Sequence, residues 1–360
     1  MQDKINLIGH SEESLEIFFK NLDEPSFRAK QLLKWIHQKG ELDFDMMTDF
    51  NKDLRKKLNE IAEIKAPKVL DILTSNEGTK KYLIELNSGS SIEMVRIPEK
   101  KRTTLCISSQ AGCALQCTFC ATGAQGFDQN LTSDEIIGQL WIANFLEKNE
   151  KPITNVVFMG MGEPLLNFDP VMESIDIMKN QTAYSLSRKR ITISTSGIVP
   201  QINKLAEITD VSLAISLHAA ENKLRDIIVP INKKYPIKDL LNACKNYLSK
   251  QKGKNTITIE YILIDGINDT LKHAAILSKK LSNLSCKINL IPFNPFEGSE
   301  YKRSTDKNIN AFKNYLMKKG YIATCRITRG DAIDGACGQL VGNLKKSIKG
   351  KGVIHHTSIH

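Results

Sequence analysis

Three cysteines lie within eight residues of the sequence, in the stretch "CALQCTFC", as Cys113, Cys117 and Cys120. Thiolates bind soft or borderline metals. A structural zinc site takes four ligands, usually in two close pairs, and no fourth cysteine or histidine is adjacent here. A [4Fe–4S] cluster held by three cysteines leaves one iron open for an outside ligand. Core packing, the alternative, fits poorly with three cysteines in a loop-like segment.

Polar residues at the ends of later strand-like runs could bind a ligand beside such a cluster. In "FMGMGEPLLN", Gly162 permits a close backbone approach, and Glu163 offers a carboxylate to an ammonium group. In "ITISTSG" and "AISLHA", Ser194, Ser216 and His218 could contact a ribose, a carboxylate or an adenine. Each of these residues alone also fits a satisfied polar group at a strand end.

For three further residues, composition alone does not decide between a functional and a structural role. Asn294, in "LIPFNP", could read a purine edge or begin a turn before proline. Cys106 lies inside a strand, and Cys337 lies between glycines in "DAIDGACGQL". Lone cysteines are usually inert packing, which is our interpretation of Cys244, Cys286 and Cys325.

Strand-like and helical runs that alternate from about residue 103 must position these residues. The strand-like runs are 104–108, 155–160, 190–195, 211–218, 256–264, 287–293 and 321–328. Thr132 and Glu135 form a capping-box pattern at the start of one intervening helix. Alternating β and α units predict a parallel sheet, either a partial barrel or an open doubly wound sheet. Functional residues of such folds lie at the carboxyl ends of the strands.

The residues before position 103 show a different pattern, with helices first and then a hairpin. Helices are predicted at 14–22, 27–40 and 51–64, and a hairpin at 80–99.

Composition bounds the class of protein. The chain has 360 residues, 41% of them hydrophobic, without an apolar run long enough for a membrane helix. Its N-terminus has acidic residues and no long apolar run, so we expect no signal peptide and a cytoplasmic location. The net charge of +10 fits a polyanionic partner such as nucleic acid, or a lysine-rich genome bias.

The cysteine spacing, with Phe119 before the last cysteine, resembles the radical S-adenosylmethionine (radical SAM) superfamily. Over residues 4 to about 345 the chain resembles, more narrowly, the RlmN family of rRNA and tRNA adenine carbon-2 methyltransferases. The stretches that carry this resemblance are "FRAKQLLKWIH", "VRIPE", "TLCISSQAGCALQCTFCATGAQGF", "GMGEPLLN", "RKRITISTSG", "AISLHA", "VPINKKYPI", "EYILIDGINDT", "INLIPFNPF" and "TRGDAIDGACGQL".

The resemblance implies an α/β fold, a partial (βα)6 TIM-like barrel with a small helical N-terminal domain. We expect a helical accessory domain at 1–65, possible contact with RNA there, and a hairpin linker at 66–102. The barrel is expected at 103–328. A C-terminal segment with a methyl-carrying cysteine and a basic tail is expected at 329–360.

The resemblance also implies roles for individual residues. The cluster would be held by Cys113, Cys117 and Cys120, and the cofactor by Gly162, Glu163, Ser194, Ser216, Leu217, His218 and Asn294. Cys337 would carry the methyl group, Cys106 would be the second essential cysteine, and Glu93 would be a proton acceptor. Whether Glu93 or Cys106 takes the proton stays open.

The implied reaction uses two molecules of S-adenosyl-L-methionine per turnover. One methylates Cys337, and the second yields a 5′-radical that removes hydrogen from the S-methyl group. The resulting methylene radical adds to adenine carbon 2, and Cys106 then releases the product by forming a disulfide with Cys337. The implied substrates are an adenosine in the peptidyl transferase centre of 23S rRNA and the adenosine 3′ of the anticodon in tRNA.

Several partners and alternatives remain. Candidate phosphate contacts are 100–102, 188–190, Arg28, Lys30, Lys34 and the basic tail. We expect a flavodoxin-like electron donor and a monomer. The alternatives are a Cfr-like adenine carbon-8 methyltransferase, an RNA-binding protein with structural zinc, and a glycyl-radical activase.

Overall fold

The computed structural model describes residues 4–147, 150–253, 255–326, 330 and 333–342. Its strands are β1 (Ile5–Asn6), β2 (Ala62–Glu63), β3 (Lys68–Thr74), β4 (Lys80–Glu85), β5 (Ser91–Pro98), β6 (Thr103–Cys106), β7 (Gln110–Gly112), β8 (Phe127–Asn130), β9 (Asn155–Phe158), β10 (Ile191–Thr195), β11 (Ser212–Ser216), β12 (Ile257–Leu263), β13 (Cys286–Pro292) and β14 (Ala323–Cys325). Its helices are α1 (Glu12–Lys20), α2 (Phe27–His37), α3 (Lys52–Ile61), α4 (Ala121–Gln125), α5 (Ser133–Phe145), α6 (Phe168–Lys179), α7 (Val199–Ile208), α8 (Asn222–Ile228), α9 (Ile237–Lys250), α10 (Leu271–Lys280) and α11 (Asp306–Lys318). Within these ranges, no helix has the length and apolarity needed to span a membrane.

The N-terminal part contains three helices, α1 to α3, where helical periodicity predicts them. The side chain of Ser11 caps α1 by accepting a hydrogen bond from the Ser14 amide, which satisfies one of the unpaired donors at the helix start. Strands β1 and β2 flank the helices and pair in parallel.

Six parallel strands form the barrel part of a ten-stranded sheet. They neighbour one another in the order β6, β9, β10, β11, β12, β13, and the short β14 adds a further parallel strand beyond β13. Helices follow most of these strands, as a right-handed parallel connection requires. The expected partial (βα)6 barrel is thereby confirmed. The predicted strand at 321–328 is shorter, and residues 327 and 328 lie outside the described residues.

The predicted hairpin is part of this same sheet rather than a separate linker. Strands β4 and β5 pair antiparallel, as expected. The sequence analysis missed β3, which pairs with β4, and β5 pairs antiparallel with β6. These strands cover the edge of β6, whose backbone N–H and C=O groups would otherwise be unpaired.

A buried guanidinium ties the carboxyl ends of β10 and β11 together. Arg225, in α8, has no exposed surface. It donates to the backbone oxygens of Ser196 at 2.6 Å, Ser216 at 3.1 Å and Leu217 at 3.0 Å. Another of its nitrogens donates to Asn232 Oδ1 at 2.9 Å. Since a buried charge is tolerated only when its donors are satisfied, this network fixes the loops that leave both strands.

Arg225→Met should therefore lower the free energy of unfolding by about 3 kcal/mol or more, because several buried acceptors lose their donor. The matched control is Arg303→Met. Arg303 is exposed and pairs with Asp306, and its replacement should change stability by no more than about 0.5 kcal/mol. Urea unfolding measures both. Equal, small effects of the two substitutions would contradict the structural role of Arg225.

Candidate active site

The three clustered cysteines lie on a small loop held by a hairpin of its own. Strands β7 and β8 pair antiparallel, and the Cys113 amide donates to Gly126 O at 2.8 Å. Gly112 has φ +72°, and a Cβ there would come within 1.9 Å of Gly126 O. Only glycine fits this close approach. The hairpin thus fixes the start of the loop at the carboxyl end of β6.

Burial and neighbouring charge both act on the thiols of Cys113 and Cys117. Burial raises the pKa of Cys113 to about 12 and raises that of Cys117 further, and charge on neighbouring cysteines of the loop adds to both effects. Within the described part of the chain, no three histidine, cysteine, aspartate or glutamate side chains lie close enough to share a single metal ion. In an iron–sulfur cluster each thiolate binds a different iron. Three soft sulfur donors around one cavity therefore fit that group.

One cavity gathers most residues that the sequence singles out. Those lining it are Cys113, Cys117, Cys120, Gly162, Glu163, Ser194, Ser216, His218 and Cys337. They come from the cysteine loop, from the carboxyl ends of β9, β10 and β11, and from the C-terminal segment. Because parallel strands end at one edge of the sheet, residues far apart in sequence meet there. We call this space the cofactor cavity.

Glu163 presents a buried carboxyl group to the cofactor cavity. Its oxygens accept hydrogen bonds from the amides of Ser196 at 2.8 Å and Leu165 at 3.2 Å. Burial nevertheless raises the pKa of Glu163 to about 7, although hydrogen bonds from Ser196, Thr195 and Leu165 lower it. Gly162 precedes it at φ +96°, where a Cβ would come within 2.5 Å of the Gln110 side chain. The carboxyl group therefore fits a cationic ligand.

His218 is held as a neutral ring with a defined tautomer. Burial lowers its pKa to about 3, and the charge of Arg225 lowers it further. The Ile262 amide donates to His218 Nδ1 at 3.0 Å, so the ring proton is on Nε2. Phe119 of the cysteine loop packs edge-on against the ring, with centroids 4.5 Å apart. His218 thus links the cysteine loop to the end of β11.

Cys337, which lines the cavity, interacts electrostatically with Cys106 and with the guanidinium group of Arg326. Burial raises the pKa of Cys106 to about 12, and the charge of Cys337 raises it further, whereas Arg326 lowers it. For Cys337, burial likewise raises the pKa, and Arg326 lowers it. Arg326 also interacts with the buried carboxyl of Glu260, whose pKa burial raises. Arg326 thus opposes the effect of burial, but the pKa of both thiols stays above its ordinary value.

Four predicted site residues do not line the cavity: Leu217, Asn294, Glu93 and Cys106, which is buried at the end of β6. Leu217 is fully buried, and its backbone is bonded at both ends: its oxygen accepts from Arg225 at 3.0 Å, and its amide donates to Glu260 O at 3.1 Å. Asn294 Nδ2 donates to Cys337 O at 3.2 Å, so it contacts the cysteine segment. Glu93 is fully buried and forms an ion pair with Lys81 at 3.0 Å.

The candidate phosphate contacts do not gather at the cavity. The stretches 100–102 and 188–190 immediately precede β6 and β10, and therefore lie at the opposite edge of the sheet. Arg28 donates to Glu24, Gln31 and Asp49 O, and Lys30 pairs with Glu12 at 3.5 Å. Lys34 is exposed. The basic tail beyond residue 342 lies outside the described residues.

Sequence reasoning missed four residues at this site: Arg225, Ser196, Glu260 and Arg326. One signal was available, because Arg225 shares a helix face with the buried Ile228. A charge on a core-facing helix position indicates a specific buried partner. Glu260 and Arg326 lie on or next to strands whose facing direction the sequence did not fix.

Comparisons with known proteins agree with this architecture. The family model "Ribosomal RNA large subunit methyltransferase N-terminal domain" matches residues 5–64, and the "Radical SAM superfamily" model matches residues 107–275. The dual-specificity RNA methyltransferase RlmN of Marinobacter nauticus is 52% identical over 347 residues, which cover 95% of this chain and 94% of the relative. A crystal structure of a radical SAM methyltransferase from Sphaerobacter thermophilus superposes with a TM-score of 0.89 at 37% identity, covering 94% of this chain and 100% of that one.

The family models together account for the helical N-terminal part and for most of the barrel. The full-length relative extends the similarity through the cysteine loop and the C-terminal segment that carries Cys337. The chain therefore belongs to the RlmN family within the radical SAM superfamily.

Proposed function

We propose that this chain methylates carbon 2 of adenosine in 23S rRNA and in tRNA through a methyl group carried on Cys337. One observation carries the proposal. Cys337 lines the same cavity as the three cysteines of the loop, and Cys106 interacts electrostatically with Cys337. An RNA-binding protein with a structural zinc or a glycyl-radical activase has no use for this second pair of cysteines. Membership of a methyltransferase family supports the same conclusion.

Carbon 2 of adenine is an electrophilic aromatic carbon, so it does not attack a sulfonium methyl group as an amine would. When bound, the cluster and S-adenosylmethionine supply both a methyl group and a carbon radical that makes this carbon accessible. Two cofactor molecules per turnover then serve the two tasks.

The cofactor cavity provides groups for each part of that molecule. Cys113, Cys117 and Cys120 would hold the cluster and would leave one iron for the cofactor's amino and carboxylate groups. The buried carboxyl group of Glu163 would accept a hydrogen bond from that amino group. The proposed partners of the ribose, carboxylate and adenine are Gly162, Ser194, Ser216, Leu217, His218 and Asn294. His218 can act there as a donor through Nε2, because its Nδ1 is already an acceptor.

The two cysteines have different roles in the reaction, one as the methyl acceptor and the other as the nucleophile that releases the product. Cys337 accepts the methyl group as a thiolate, the competent nucleophile, and Arg326 favours that ionised form. Once carbon 2 is joined to Cys337 through the methylene group, the radical adduct would return one electron to the oxidised cluster and lose the ring proton to a base. The Cys106 thiolate then attacks the Cys337 sulfur. A disulfide forms as the bond between the Cys337 sulfur and the methylene carbon breaks, and that carbon takes up a proton to leave as the methyl group of adenosine.

The substrate must bring an adenine out of its stack, which costs a few kcal/mol. The net charge of +10 supports the phosphate contacts that offset this cost. The proposed electron donor is flavodoxin-like, and the proposed state is a monomer in the cytoplasm. Because the stretches 100–102 and 188–190 lie at the far edge of the sheet, we assign them no contact near the target base.

Replacing any one of Cys113, Cys117 and Cys120 with alanine should abolish cluster binding, because a three-thiolate site has no spare ligand. The measurement is iron and sulfide content after anaerobic reconstitution, together with the yield of 5′-deoxyadenosine. Cys244→Ala is the control, since Cys244 is buried in α9 away from the cavity. Full iron content in the loop variants, or one equivalent of zinc in the wild type, would contradict the assignment.

Substitution of the two remaining cysteines should block the reaction at different steps. Cys337→Ala should give neither methylated protein nor methylated RNA. Cys106→Ala should accumulate RNA covalently joined to Cys337, because the release step lacks its nucleophile. Mass spectrometry of the RNA nucleosides and of the protein measures these species. A wild-type product of 8-methyladenosine would favour the Cfr-like alternative, and full turnover by Cys337→Ala would refute the proposal.

Glu163→Gln should stabilise the cluster-free protein more at pH 8 than at pH 5. The folded-state pKa of about 7 lies above the ordinary value of 4.5. The folded protein therefore binds a proton more tightly than the unfolded chain, and the wild type loses stability as pH rises through this range. The advantage of the variant should grow by about 2 kcal/mol between the two pH values. Paired urea unfolding measures it, and a pH-independent difference would contradict the burial of an uncompensated carboxyl group.

A further inference from the structure

A fully buried ion pair joins the two strands of the hairpin next to the barrel. Lys81 lies on β4 and Glu93 on β5, with side chains 1% and 0% exposed and Nζ 3.0 Å from Oε1. Both charges lose their hydration, and an apolar pair of similar volume is often as stable or more so. Stability alone therefore does not explain why two charges lie here.

Each member of the pair also binds the C-terminal segment. Lys81 Nζ donates to Asp334 O at 3.4 Å, and the Val341 amide donates to Glu93 Oε2 at 2.9 Å. Asp334 precedes Cys337 by three residues, and Val341 follows it by four. One ion pair thus holds both ends of the segment 334–341, "DGACGQLV", which we call the cysteine segment.

The cysteine segment forms a wall between two cavities. Cys337, Gly338 and Leu340 line the cofactor cavity. On its other side, Asp334, Gln339 and Val341 line a second cavity of about 500 Å³, to which Lys81 also contributes. The direction in which the Cys337 thiol points therefore depends on how this segment is held.

The middle of the cysteine segment is held from α4 and from the loop after β13, where Asn294 Nδ2 donates to Cys337 O at 3.2 Å. The Ala121 amide donates to Gly338 O, and Thr122 Oγ1 donates to Leu340 O, both at 2.7 Å. These bonds fix the middle of the cysteine segment, whereas Lys81 and Glu93 fix its ends.

We propose that Lys81 and Glu93 act as a clasp that holds the cysteine segment closed over the cofactor cavity. The proposal rests on the proposed function, in which Cys337 receives the methyl group inside that cavity. Lys81 is then a positioning residue, which acts through the segment and not on the reacting atoms. Glu93 lines neither cavity in this arrangement, so its carboxylate serves the segment while the clasp is closed.

The test compares Lys81→Met with Lys80→Met in the cluster-loaded protein. Lys80 is the neighbour on the other face of β4 and pairs with Glu147 and Glu150, both at 2.7 Å. It makes no contact with the cysteine segment among the interactions of the described residues, so its substitution removes a partly buried ion pair without opening the clasp.

Two rates are measured without RNA: methylation of Cys337 by S-adenosylmethionine, from intact protein mass, and alkylation of Cys337 by iodoacetamide, from peptide mass. Lys81→Met should slow methylation by about tenfold or more, since small misplacements of a reacting group are costly, and should accelerate alkylation. Lys80→Met should leave both rates at the wild-type level, and Lys81→Arg should restore part of the loss.

A double variant covers the case in which Lys81→Met does not fold. Lys81→Met with Glu93→Leu replaces the ion pair by apolar side chains, which such sites tolerate, and it lacks both bonds to the segment. It should be folded and should show the same slow methylation and fast alkylation.

Several outcomes would overturn the clasp. Wild-type methylation and alkylation rates in a folded Lys81→Met protein would do so. Normal methylation of Cys337 with a block only after RNA addition would also do so, and would assign the pair to proton removal. If the wild type itself does not methylate Cys337, the proposed function fails, while the alkylation rates still decide whether the pair closes the segment.

Discussion

The carboxyl ends of the parallel strands meet at one edge of the sheet, and every feature of the proposed site depends on that constraint. Cys113 and Cys337 are separated by more than half of the chain, yet they line one cavity. The hydrogen bonds between neighbouring strands hold these strand ends next to one another. Short loops then place each side chain, as in the hairpin of β7 and β8 below the three cysteines.

Burial determines the charge state of the groups at that edge. It favours the neutral forms of Glu163, His218, Cys106 and Cys337. The guanidinium group of Arg225 acts on His218, and that of Arg326 acts on the two cysteines. The buried charge of Arg225 is tolerated because backbone and side-chain oxygens accept hydrogen bonds from its guanidinium group. A cationic cofactor and an iron–sulfur cluster supply what such a cavity lacks: a partner for the carboxyl group and metal for the thiols.

Sequence patterns predicted the parallel sheet well and the surrounding contacts poorly. The strand-like runs follow a repeating βα order, and the resemblance to the RlmN family added that the sheet forms a partial barrel. The cysteine spacing predicts a metal site, which stays a prediction. Strand β3 was missed because its alternation is weak. The Lys81–Glu93 pair was not foreseen, although the register places Glu93 opposite Leu83 and hence on the face shared with Lys81. Its partners, Asp334 and Val341, lie about 250 residues further along the chain, and no local pattern carries that information.

Iron-57 Mössbauer spectroscopy of the reconstituted protein tests the central claim most directly. A cluster held by three cysteines has one iron without a protein thiolate. The account predicts that one quarter of the iron signal is distinct and shifts when S-adenosylmethionine is added, while the remainder is unchanged. Four irons that do not respond to the cofactor, or a protein that takes up zinc and no cluster, would contradict it.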